Sequence, residues 1–242
     1  MKHYFIRICV VAALCAGCSK PRSEDDLFDS LTKCDVKSLE TVLKTPDEYS
    51  AMILYAAAGA AFADQRLEDS GFLFYAGQLR ARFDQKCFPP TETGGDNPFV
   101  LYSAFSQGLG STINPAVMAE PKAFSRAIDR LEKWSPKAPD DYTPGYEFKQ
   151  RLSEKDGHEA ARQNRTEFLS RMRDFSTLLN NPDYFAAFRV IQARNLLSDD
   201  KRPTKEDAEN ATKTMIRIES EKGLTGFFSM DEGAGEPRTV DE

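Results

Sequence analysis

The sequence predicts an all-α protein, a multi-helix bundle or helical-hairpin array of about seven to nine helices. Three observations carry this. Helix-start signals recur along the chain, from Thr45-Pro46-Asp47-Glu48 to Thr204 with Asp207. Apolar residues step at three and four positions in segment after segment. Alternating runs of strand length are absent and β-branched residues are sparse. The 242 residues, 40% hydrophobic and 29% charged, suffice for a packed core.

The elements follow in order. Thr45 to Glu48 reads as a capping box with Pro at the first helical position. It opens AMILYAAAGAAFA, residues 51–63, which is apolar all round and so belongs inside. Asp64-Gln65-Arg66 makes a turn into a second helix, Leu67 to Phe83, whose core side includes Phe74 and Leu79. Residues 88–95 form a Pro- and Gly-rich loop. Asn97-Pro98 caps a third helix that ends near Gly110, and Asn114-Pro115 reads as another cap. Ala123, Phe124, Ala127, Ile128, Leu131 and Trp134 form one clean stripe. Residues 135–158 read as a long loop, broken by Pro136, Pro139 and Pro144. Phe168, Met172, Phe175 and Leu179 form the next stripe. Asn181-Pro182 caps Tyr184, Phe188 and Ile191, and Thr204 precedes the last stripe, Ala208 to Ile218.

The first residues have a different character. Lys2 and Arg7 precede a short apolar run, Ile8 to Ala16, and small residues stand before Cys18. That is the order of a secretory signal peptide, well short of the ~20 apolar residues of a spanning helix. Leu14-Cys15-Ala16-Gly17-Cys18 resembles the lipobox of bacterial lipoproteins, with Cys15 where that motif usually holds Leu. The resemblance implies cleavage before Cys18 and lipid attachment to it, palmitate included. Ser19, in place of Asp, implies the outer membrane, facing the periplasm. Domain expectations follow: a leader at 1–17, a polar tether at 18–26, an all-α globular domain at 27–228 and an acidic disordered tail at 229–242.

The net charge is −6, and −8 once Lys2 and Arg7 leave with the leader. An acidic chain repels phosphate backbones, so a nucleic-acid partner is not expected. With the leader gone and Cys18 acylated, Cys34 and Cys87 remain, and in an oxidising compartment they are expected to form a disulfide.

Residues 51–84 resemble one tetratricopeptide repeat. Ala58, Ser70 and Gly77 supply small residues where two helices meet, and Phe74 holds the aromatic position. Ala61 and Arg82 stand where the repeat usually has an aromatic residue and a Pro. The resemblance implies a protein-binding scaffold without catalysis.

Few residues carry chemistry. His3 and His158 are the two histidines, and His3 is in the leader. A His-based zinc site therefore lacks residues, a hydrolytic triad would have to use His158 with no Gly-x-Ser-x-Gly elbow beside it, and His158 reads better as a surface residue; no cofactor or metal is expected. Glu48, Glu68 and Glu147 are the glutamates considered for a single-carboxylate enzyme acting on peptidoglycan. The densest aromatic stretch, 72–83, offers Tyr75, Arg80 and Arg82 as partner-binding anchors. The expected function is a lipid-anchored, non-catalytic protein-binding module of the envelope, an assembly helper or an immunity protein. Its acidic surface suits a basic partner. The alternative is the peptidoglycan enzyme.

Overall fold

The computed structural model describes residues 23–92, 94, 97–137, 142–152, 154–198 and 201–224, with backbone alone for 154–158 and 160. Cys18, Ser19, the leader and the tail 229–242 lie outside the described residues.

The described chain is built from α-helices joined by loops: α1 (Glu24–Thr32), α2 (Val36–Lys44), α3 (Ala51–Ala63), α4 (Leu67–Cys87), α5 (Pro98–Met118), α6 (Pro121–Lys133), α7 (Glu154–Leu179), α8 (Pro182–Leu196) and α9 (Lys205–Glu221). Among the described residues the sole extended pairing is an isolated bridge between Pro90 and Phe148. No described helix is long and apolar enough to cross a membrane.

Several expected caps are present. Asn97 accepts from the Phe99 N–H, Asn181 from those of Asp183 and Tyr184, and Thr204 forms a complete box with Asp207. Others differ. Thr45 makes no side-chain cap, and Pro46–Glu48 is a single 3-10 turn. The helix behind it starts afresh after Ser50. Asn114-Pro115 starts nothing: α5 runs through Pro115 to Met118. Residues 24–26, expected in the polar tether, belong to α1, whose N-terminus Ser23 caps by accepting from the Asp26 N–H at 3.1 Å. Helix α7 takes in the last residues of the expected long loop.

Helix α4 is the centre of the molecule, packed by α3, α5, α6 and α7. Of its 21 residues 14 are buried, which is why its sequence has no single apolar face. Its partner α3 approaches closely through small residues. A Cβ on Gly77 would lie 2.8 Å from the Tyr55 ring, and the Ser70 hydroxyl donates to the Ala58 carbonyl at 3.0 Å. Arg165 of α7 donates to the Trp134 and Glu132 carbonyls at 2.6 and 2.8 Å, satisfying the open C-terminal end of α6. Helices α8 and α9 form an outer hairpin on α7.

Cys34 and Cys87 are free thiols, so the expected disulfide is corrected. Cys34 is exposed in the turn after α1, at φ 59°. Cys87 is buried at the far end of α4, in a small cluster with Phe83, Phe88 and Tyr142. Burial pushes its thiol up to about 11.

Candidate functional site

The three expected anchors separate. Tyr75 is 2% exposed and Arg80 fully buried, so neither meets a partner. Helices α5 and α6 cover Tyr75, and the segments before α3 and after α6 cover Arg80. Tyr75 packs edge-on against Phe124 and donates to the Asn114 carboxamide at 3.0 Å. Phe72, on the same helix, packs edge-on against Trp134.

Arg80 belongs to an interior polar cluster. It donates to the Lys137 carbonyl at 2.6 Å and to the Asp47 carbonyl, and its guanidinium lies 4.5 Å from the Tyr142 ring centre. Tyr142 donates to Asp84 at 2.7 Å, and Arg80 stands 4.0 Å from the other Asp84 oxygen. Both Arg80 and Asp84 are 0% exposed. Desolvation pushes the Asp84 carboxyl up to about 7, against the opposing pull of Arg80 and the Tyr142 hydroxyl. The cluster binds α4 to the segments before α3 and after α6. It is closed to a ligand, and its work is structural.

Arg82 alone of the three reaches solvent, and it marks the site. The outer strip of α4, Arg82, Gln85 and Lys86, is exposed between α5 and α7. On the α7 side the strip lines a groove of about 670 Å³, together with Glu167, Phe168, Arg171, Met172 and Phe175. On the α5 side Arg82 and Gln85 also line a second recess of about 430 Å³, with Gln78, Ser103, Ser106 and Gln107. The shared residues join the two into one trough over α4.

Its two sides differ in chemistry. The α7 side has a half-buried apolar floor, Phe168, Met172 and Phe175, and three cations, Arg82, Lys86 and Arg171, against one carboxylate, Glu167. The α5 side offers amides and hydroxyls, and Gln78 there donates to Ser106 at 3.0 Å. Arg82 is held in place, its guanidinium 4.8 Å from the Phe168 ring centre, and the partial desolvation lowers its pKa. A deeper wall residue, Tyr55, is buried, which pushes its phenol up to about 12.

The considered glutamates lie elsewhere. Glu48 and Glu147 are exposed, and Glu68 pairs with Arg126 and Arg130 of α6. The buried carboxylates among the described residues are Asp84 and Glu219, and neither lines the trough. Glu219 accepts from the Tyr184 hydroxyl at 2.9 Å. The side chain of His158 lies outside the described residues. Among the described residues no group of three or more His, Cys, Asp or Glu could hold a metal.

Sequence reasoning found Arg82 through the aromatic density around it but missed the α7 wall. The available signal was the spacing Glu167, Arg171 beside Phe168, Met172, Phe175: a charged edge next to an apolar stripe on one helix. No protein-family model, curated protein or solved structure matches the chain.

Proposed function

We propose that this chain is an envelope lipoprotein, anchored by lipid on Cys18, that works as a non-catalytic helical module binding another protein. The observation that supports this best is the trough over α4. It is open, has an apolar floor rimmed by cations, and holds no buried carboxylate. A single-carboxylate hydrolase needs its acid desolvated beside a cleft, whereas a binder needs a recessed apolar surface with polar edges. An envelope-assembly helper and an immunity protein both require such a surface. Anchoring would hold the module at the membrane and raise its effective concentration near a membrane-bound partner.

The test is photo-crosslinking in living cells. A photoreactive phenylalanine at Gln85, in the trough, should trap one discrete partner; the same residue at Lys37, exposed on α2, should not. Radiolabelled palmitate should enter the chain and be lost in Cys18→Ser. Adducts equal at both positions would remove the trough as the binding surface. Release of soluble fragments from purified cell wall by the purified chain would replace the binder with the enzyme.

A further inference from the structure

The α7 side of the trough carries a local charge opposite in sign to that of the chain as a whole. The whole sequence has formal charge −6, yet the α7 side sets Arg82, Lys86 and Arg171 against Glu167 alone. The acidic composition suggested a basic partner; the local charge at the recessed surface has the opposite sign. Local potential in a concave site, not net charge, selects what docks there.

The geometry points to an acidic segment of a partner protein as the occupant: its carboxylates pair with Arg82, Lys86 and Arg171 while an apolar side chain seats on Phe168, Met172 and Phe175. This rests on the protein-binding reading. Three features argue for it. The Arg82 guanidinium is already stacked on Phe168, so little ordering remains when it meets a carboxylate. Met172 lets the floor adapt to the side chain received. The amides and hydroxyls of the α5 side, Gln78, Gln85 and Ser106 among them, supply hydrogen bonds to a peptide backbone running across α4. A flat anionic bilayer matches the charge but does not reach into a recess between two helices.

The experiment measures binding of fluorescent peptides to the purified full chain by anisotropy. One peptide combines Glu and Leu, a second replaces Glu with Gln, and a third replaces it with Lys. The Glu peptide should bind at least about tenfold tighter than the Gln peptide, and the Lys peptide should not bind. The preference should collapse at about 0.5 M salt. The double variant Lys86→Glu, Arg171→Glu should lose about tenfold or more for the Glu peptide while keeping its circular dichroism. Both residues are exposed and outside the core, so the variant is expected to fold.

Equal binding of the Glu and Gln peptides, or binding unchanged in the double variant, overturns the proposal. So does flotation of the Cys18→Ser chain with phosphatidylglycerol vesicles if the double variant abolishes it, because the occupant is then a membrane. Neutralising Asp231, Glu232, Glu236, Asp241 and Glu242 should leave the peptide affinity unchanged; a tenfold gain would make the chain's own tail the occupant. A partner adduct at Gln85 that persists in the double variant would leave the binding function standing and remove the acidic segment. Absence of any adduct would overturn the partner segment together with the binding function, even with the peptide preference intact.

Discussion

At the scale of single residues, Asp84 has the clearest consequence. Its carboxyl is fully buried, and desolvation raises its pKa to about 7 despite Arg80 and Tyr142. In the unfolded chain an Asp titrates near ~3.9. Between these values the folded state holds a proton that the unfolded state has lost. The stabilisation is therefore full below about pH 4 and disappears as pH rises through 7. In Asp84→Asn nothing titrates at this position. Urea unfolding at pH 5 and pH 8 should show the wild type losing about 2–3 kcal/mol more than the variant across that interval. Parallel losses in the two proteins would mean that the carboxylate is already charged at pH 5. The pairing was half legible in the sequence, since Arg80 and Asp84 are four apart on one helix. Tyr142, which completes the cluster, comes from a loop 58 residues away, and no local pattern announces it.

At the scale of elements, the α3–α4 hairpin separates two uses of glycine. Gly77 lies where α3 presses on α4, and an added Cβ would lie 2.8 Å from the buried Tyr55 ring, so a side chain must shift. Gly59 of α3 is half-exposed, and its Cβ would make an ordinary contact at 3.7 Å with the flexible end of Leu109. Gly77→Ala should therefore destabilise by about 1–3 kcal/mol through overpacking. Gly59→Ala should stabilise by up to about 1 kcal/mol, because Ala is the better helix former. Thermal unfolding of the two variants measures both signs, and equal effects would mean that helix propensity, not close approach, governs the hairpin. The helix ends repeat the lesson. Cys34 and Gln65 adopt positive φ, closing α1 and α3 with paired backbone hydrogen bonds, from Asp35 N–H to the Ser30 carbonyl and from Arg66 N–H to the Ala61 carbonyl. Neither residue is the glycine that usually signals such a stop. This hides the end of α1, whereas Asp64-Gln65-Arg66 still shows the end of α3 by its polarity; Asn114-Pro115 has the form of a cap yet lies inside α5.

At the scale of the whole molecule, the two described cysteines report on different regions. Cys34 stands on the surface beside the main core, and Cys87 sits in the satellite cluster under the loop that carries Tyr142. In a Cys18→Ser chain without its leader, maleimide should label one thiol in the folded protein, at Cys34, and a second in urea. No labelling without reductant would restore the disulfide. The sequence by itself determined the class of the fold and the place of most helices. Those follow from local periodicity and capping, which act within a few residues. It also identified the α3–α4 hairpin as interior, since a helix apolar on every side has nowhere else to go. Only the tertiary structure decided which residues of α4 face solvent. With neighbours on several sides, its burial is set by the surrounding helices and by the segments carrying Asp47, Lys137 and Tyr142, so Tyr75 and Arg80 vanish inside while Arg82, from the same stretch, opens onto the trough. The sign of the charge there was likewise decided in space. Net charge sums over the whole chain, whereas a groove gathers Lys86 from one helix and Arg171 from another, 85 positions on.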